Sequence, residues 1–384
     1  MTARTQPWAH LADANERSLF LRPRRRTSVL SPPRARRASE AAALMLALLP
    51  CTTLASPPWE VQPLPPIEEQ QVLFSNGIVR LVGTLYLPAN GTALPAVVVE
   101  HAAEAPTRDY ALYRHLALGL PPIGIAVLVY DRRGSGASSG NRNEASYEQL
   151  ADDAIAGERE IAKNPRIDPR KIGFWGLSQG GWLAVLAANR SGNAAFAVSV
   201  SAPLVTPKVQ MKYAVRNLLI THGYESAAQA AALEARAAHD AFTLGKLSRA
   251  DTLQALAKVK GEPWASLTFL PAPEDLTRDP ANSRWHKEML FDPLLQARAA
   301  HLPVLFIYGG ADPWVPVRES IERLQTLLPD HPRFQYFVID GANHTMTRVS
   351  KEDMAFDVVS LKAAAPDAPE YFTVLADWLS RHTR

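Results

Sequence analysis

Lys171 to Arg190 reads KIGFWGLSQGGWLAVLAANR, and this stretch decides the fold. Ile172 to Trp175 is a short apolar run with β-branched and aromatic residues, the composition of a buried strand. Gly176-Leu177-Ser178-Gln179-Gly180 follows at once, and Trp182 to Ala188 is then almost wholly apolar and rich in helix formers. A strand that enters a helix through G-x-S-x-G forms a nucleophile elbow. Glycines on either side of Ser178 let the backbone turn sharply, so that the serine projects its Oγ above the sheet. The helix is apolar on all sides, which predicts burial against the sheet. The same five-residue pattern recurs at Gly136-Ala137-Ser138-Ser139-Gly140, but there it follows polar Asp131-Arg132-Arg133 and leads into polar Asn141 to Glu144. With no helix behind it, that copy reads as a loop. Context selects Ser178.

Outward from the elbow, strands and helices alternate. Gln70 to Ser75 and Ile78 to Leu87 read as strands joined by a tight hairpin at Asn76-Gly77. Ala96 to Val99 is a strand ending in Glu100-His101, Asp109 to Leu120 a helix stopped by Pro121-Pro122, and Ile125 to Tyr130 a further strand. Ser146 with Gln149 fits a capping box for a helix running to about Asn164. Ala195 to Val200 is the next strand. From Pro207 to Ala300 the pattern is helical (209–220, 227–242, 248–259, 283–291) with no convincing strand. Alternation resumes with a strand at 302–308, a helix near 317–328, the strand Phe334 to Ile339 and a closing helix near 371–380. The expected class is α/β: a mostly parallel twisted sheet flanked by helices, with a helical insertion poised to act as a lid. The division is a core at 69–206, the insertion at 207–300 and the rest of the core at 301–384.

The ends are read from charge and composition. The chain has 384 residues, 47% hydrophobic and 21% charged, with a net charge of +3. That is ordinary for a globular protein and large enough for a full core. Arg22 to Arg37 holds seven arginines and no acid, a local excess that explains the basic balance without a nucleic-acid partner. Ala41 to Pro50 is a short apolar run followed by Thr53-Leu54-Ala55, so residues 1–55 read as a basic leader and secretory signal peptide cleaved after Ala55. The expected location is periplasmic or secreted, with no stable membrane anchor, since the run is too short to span a bilayer. Residues 56–68 form a Pro-rich linker. Cys51, the only cysteine, excludes an intrachain disulfide.

A serine nucleophile needs a base, and the base needs an acid to hold its tautomer. Gly309-Gly310-Ala311-Asp312 follows one late strand and Asp340-Gly341-Ala342-Asn343-His344 follows the other, both at the sheet edge that carries Ser178. Asp312 is the preferred acid and His344 the base. Asp340, on the same turn as His344, is the second candidate acid, and Asp312 remains open to a purely capping role. His101 precedes the serine and is better suited to shaping the loop beneath the site. The two N–H donors for an oxyanion fall to Gln179, directly after the nucleophile, and Ala103, in the loop after His101. The ten histidines show no H-E-x-x-H or close His/Cys grouping, and Gly134 to Gly140 lacks the Lys-Ser/Thr of a phosphate loop, so neither metal nor cofactor is expected.

At GLSQGGW, YDRRGSGASSG, GGADPWVP and GANHTM the chain resembles the α/β-hydrolase superfamily. Within it the likeness is to lid-bearing bacterial serine esterases and serine-aminopeptidase-like members, relatives of the prolyl oligopeptidases and dienelactone hydrolases. The resemblance covers about Gln70 to Arg384 and implies a hydrolase of small ester substrates acting through an acyl-enzyme on Ser178. Peptide or amide cleavage, with Glu104 or an insertion residue anchoring a charged terminus, is the alternative within enzymes. A non-catalytic binding module of the same fold is the alternative outside them. The chain departs from the family at His101-Ala102-Ala103-Glu104, where such enzymes usually carry His-Gly and a further glycine. Alanine is costly if the loop needs positive φ, and Glu104 brings negative charge near a forming oxyanion.

Overall fold

Strand burial sets the architecture. The computed structural model describes residues 64–348 and 365–383, so the leader, the Ala55 cleavage site and most of the linker lie outside the described residues. Eight strands form one sheet: β1 (Ile67–Asn76), β2 (Val79–Pro88), β3 (Leu94–Glu100), β4 (Ala126–Tyr130), β5 (Ile167–Leu177), β6 (Ala197–Val200), β7 (Val304–Gly309) and β8 (Phe334–Ile339). Their order is β1-β2-β4-β3-β5-β6-β7-β8. β1 pairs antiparallel with β2 and β2 with β4, and every later pairing is parallel. β1 begins at Ile67, two residues inside the stretch read as linker.

Ten α-helices appear among the described residues: α1 (Ala111–Gly119), α2 (Tyr147–Ile161), α3 (Gln179–Ser191), α4 (Pro207–Thr221), α5 (Ser226–Thr243), α6 (Arg249–Ala257), α7 (Arg284–Glu288), α8 (Pro293–Ala299), α9 (Val317–Leu327) and α10 (Pro369–His382). Strand side chains alternate between two cores, as a period of two requires. Ala96 and Val98 of β3 join Leu150, Leu183 and Leu324 on the face covered by α2, α3 and α9. Val97 and Val99 join Leu112, Leu116, Leu375 and Trp378 on the face covered by α1 and α10. α3 is buried from Gln179 to Ala188, as its all-round apolar sequence demands. α2 starts with the full capping box: the Ser146 hydroxyl accepts from the Gln149 amide, and the Gln149 side chain accepts from the Ser146 amide.

The regular elements of the insertion are all helices, and it belongs to the same compact unit as the rest of the described residues. α4, α5 and the segment beyond α6 bury Val215, Leu219, Ala232, Ala235, Val259 and Trp264 together. The C-terminal stretch behaves differently. Phe291 packs edge-on against Tyr147 at 4.9 Å and near Trp182 at 6.1 Å, and Ala297 and Ala300 are buried in the core beside α3. Structurally the main core therefore resumes before residue 301. No described helix is long and apolar enough to cross a membrane.

Candidate active site

The ends of the parallel strands β3, β5, β6, β7 and β8 converge on one edge of the sheet. Glu100 at the end of β3 pairs with Gly176, Leu177 with Val200, Val200 with Ile307, and Gly309 with Ile339. Ser178 follows β5 with φ 59° and ψ −124°, a conformation that disfavours a residue with a side chain and costs about 1–3 kcal/mol. Its amide continues the ladder by donating to the Val200 carbonyl at 2.8 Å, and α3 begins at the next residue. The flanking glycines do a different task from the one their positions suggest. Neither Gly176 nor Gly180 has positive φ. A Cβ on Gly176 would lie 2.0 Å from the Gly180 carbonyl oxygen, and one on Gly180 would lie 2.4 Å from the Glu100 carbonyl oxygen. They are glycine because strand, helix and the β3 end approach too closely for any side chain.

The other two loops meet by similar means. A Cβ on Gly309 would fall 2.4 Å from the Asn343 carbonyl oxygen, and the Ala311 amide donates to the Ala342 carbonyl at 2.9 Å. His344 Nδ1–H consequently donates to Asp312 Oδ2 at 2.8 Å. The other carboxylate oxygen, Oδ1, accepts from the amides of Trp314 at 2.8 Å and Val315 at 3.2 Å. Held at both oxygens and 6% exposed, Asp312 fixes the His344 tautomer with Nε2 as the basic nitrogen. The Asn343 side chain shapes the histidine turn, accepting from the Thr345 and Thr347 amides. Asp340 is exposed and makes no hydrogen bond to His344.

Ser178, Gln179, Ala102, Ala103 and His344 line one pocket of about 190 Å³. Its walls are Leu177, Trp182, Val315 and Trp314 from the core and Met211 and Trp285 from the insertion, with Glu104, Arg284 and Glu288 at its polar side. Among the described residues neither the Gln179 nor the Ala103 amide has an acceptor. Ala102 and Ala103 keep negative φ, so the loop needs no glycine there. The Tyr113 hydroxyl clamps the turn around Ala103, accepting from the Ala102 amide at 3.0 Å and donating to the Ala105 carbonyl at 2.6 Å. Glu104 faces Arg142 at 3.8 Å, which draws its charge outward. His101 is buried and donates from Nε2 to the Tyr130 carbonyl, and burial, with Arg132 nearby, pushes it down to about 3. It is a neutral structural donor.

Several contributors carry no signal in the sequence pattern. Arg132 donates to the Gln179 side chain and the His101 carbonyl, both at 2.9 Å. Arg284 Nε donates to Glu288 Oε1 at 2.7 Å, and Glu288 also meets the Gln179 side-chain amide at 3.5 Å. Of the aromatic residues Trp264, Phe269, Trp285 and Phe291 in the insertion, Trp285 faces the pocket. Trp264 is in the insertion's own core, Phe291 in the main core, and the Phe269 ring lies tilted 5.0 Å from that of Trp314. Ser138 of the second G-x-S-x-G is structural: its hydroxyl donates to the Asp131 carbonyl at 2.7 Å and accepts from the Val82 amide at 3.0 Å. A larger groove of about 530 Å³ lies along α2 and the β1–β2 turn, but its charged lining holds no nucleophile–base pair. No cluster of three or more potential metal ligands occurs among the described residues.

Comparison with known proteins agrees with this fold. The family model described as serine aminopeptidase, S33, matches residues 107–348, more than half of the chain. An uncharacterised protein of Mycobacterium tuberculosis is 34% identical over 113 residues, covering 29% of this chain and 38% of that protein, well short of its full length. A thiohydrolase of Aspergillus aculeatus is 28% identical over 301 residues, 72% of this chain and 86% of its own. Among solved structures, an esterase of Pyrococcus furiosus superposes with a TM-score of 0.51 at 18% identity, over 83% of this chain and 92% of the other, which establishes the shared fold.

Proposed function

We propose, for a chain that belongs to the serine aminopeptidase, S33, family of α/β hydrolases, that it cleaves carboxylic esters through an acyl-enzyme on Ser178. Ser178 Oγ attacks the ester carbonyl while His344 Nε2 takes its proton, and Asp312 stabilises the resulting imidazolium. The amides of Gln179 and Ala103 bind the oxyanion. Collapse expels the alcohol, protonated by His344, and water then releases the acid by the same steps in reverse. The observation that carries this reading is the 2.8 Å His344–Asp312 bond in a pocket shared with a serine at φ 59°. The insertion is the substrate lid, its Met211 and Trp285 closing an apolar acyl site. At about 190 Å³ that site is smaller than the ~300–1,000 Å³ typical of drug-sized ligands, which favours short acyl groups. The basic leader and apolar run at 1–55 support export.

A fluorophosphonate probe tests the chemistry. Wild type should be labelled and Ser178→Ala should not, while short p-nitrophenyl esters should turn over faster than long ones. Labelling that persists in Ser178→Ala would remove the assignment, and absence of both labelling and turnover would favour a binding module. Peptide cleavage is a second reading because Glu104 and Glu288 put two carboxylates beside the pocket, counter-charges for a substrate amine. Aminoacyl anilides in the same panel decide between them, and short acyl thioesters extend it to the chemistry named for the Aspergillus relative.

A further inference from the structure

Arg132 is a buried charge to which the reaction above gives no task. It stands in the loop after β4, at the open position of the D-x-R-G-x-G-x-S pattern. Its neighbours have evident work: Asp131 accepts the Arg108 and Ala137 amides, and Arg133 pairs bidentately with Asp153 at 2.6 Å. Arg132 is 3% exposed, and among the described residues its guanidinium donates only to neutral oxygens. A guanidinium stays protonated, so such burial is costly unless the charge is used. Glu100, the acid that faces it, is itself buried with Oε1 unpartnered, and burial pushes its carboxyl well above the ordinary range. Glu100 is therefore a poor counter-charge.

The two acceptors are informative. Nη1 holds Oε1 of Gln179, the residue whose amide is one oxyanion donor. Nη2 holds the carbonyl of His101, which opens the turn carrying the other donor at Ala103. One rigid planar fork thus ties together two loops that are remote in sequence. Tyr113 clamps the far side of the same turn, and Tyr147 and Glu288 receive the Gln179 amide nitrogen at 3.3 and 3.5 Å, so the side chain has one orientation. We propose that Arg132 is the positioning residue of the oxyanion hole: it sets the spacing of the Gln179 and Ala103 amides and holds a positive charge behind the oxygen that becomes negative in the tetrahedral intermediate. This rests on Ser178 being the nucleophile.

The test compares full-length wild type with Arg132→Met, Arg132→Lys and Gln179→Met, using p-nitrophenyl butyrate turnover and inhibition by a trifluoromethyl ketone. The ketone's serine adduct carries an oxyanion, whereas the bound ester does not. Arg132→Met should lower kcat about 10²-fold, the size of losing one oxyanion donor, with KM changed less than about threefold. Ketone affinity should fall in parallel with kcat, and Arg132→Lys should recover about tenfold of both. If Arg132→Met fails to fold, Gln179→Met, which keeps the main-chain donor, should still lose about tenfold in kcat and ketone affinity together. Unchanged kcat, or a loss of kcat without loss of ketone affinity, overturns the inference while wild-type labelling at Ser178 leaves the hydrolase reading standing. A wild type that neither labels nor turns over overturns both.

Discussion

Asp312 and Asp340 both stand just past the ends of adjacent strands, and three-dimensional contact separates their roles. Asp312 is buried with both oxygens engaged, whereas Asp340 is exposed. Asp312→Asn should therefore lower kcat by about 10⁴, the loss seen when a triad acid is neutralised in another fold. Asp340→Asn should change kcat by less than about threefold, and the opposite ranking would move the acid to Asp340. Gly176 and Gly180 answer to sterics alone. Ala at either puts a Cβ within 2.4 Å of a carbonyl oxygen, so thermal unfolding of Gly180→Ala should show a loss at or beyond the usual ~1–3 kcal/mol of overpacking. A melting temperature equal to wild type would show that the backbone yields. Ser178 and His344 are legible in the sequence because strand ends and chain order mark them. Arg132 is not, because its acceptors lie far along the chain and nothing local announces them.

At the scale of elements, the sheet is legible because its central strands are continuous buried runs, and α2 because its capping box is a local device. The insertion is legible as helical but not in what its apolar residues do. A tryptophan facing the insertion's own core and one facing the pocket have the same sequence appearance. Trp285 is held from behind, its Nε1–H donating to Asp240 at 2.9 Å and its ring 5.4 Å from the Arg236 guanidinium. Trp264 is enclosed by Val215, Leu219 and Val259. The two should part under truncation. Trp264→Ala should cost stability, about 3–5 kcal/mol for a large aromatic, while folded enzyme keeps its ester preference. Trp285→Ala should spare most of the stability and shift the acyl-length optimum upward in a p-nitrophenyl ester series. An unchanged optimum would remove the insertion from the acyl site.

At the scale of the whole molecule, His101 is buried and His115 and His239 are half-buried, and desolvation favours the neutral form of all three. Burial pushes His101 down to about 3, His115 to about 4 and His239 to about 4. The unfolded chain binds protons on them near pH 6.5, where the native state does not, so their stabilisation is complete above that pH and is lost as pH falls toward 4. Each contributes about 1.4 kcal/mol per pH unit in that window. Glu100 and Glu158, whose carboxyls burial raises, act with the opposite sign and blunt the slope. The urea midpoint of wild type should drop more steeply below pH 6.5 than that of His115→Gln, which should remove about one proton from the uptake on unfolding. Equal slopes in the two proteins would show that native His115 protonates freely. The anchorage of Phe291, Ala297 and Ala300 in the main core bears on how such genes recombine. Chimeras between relatives that exchange the segment from Pro207 to Glu288 would trade specificity and keep the host's scaffold. Crossovers placed after Ala300 would import a foreign wall for α3 and yield hybrids that fail to fold, which confines viable shuffling to a boundary before Phe291.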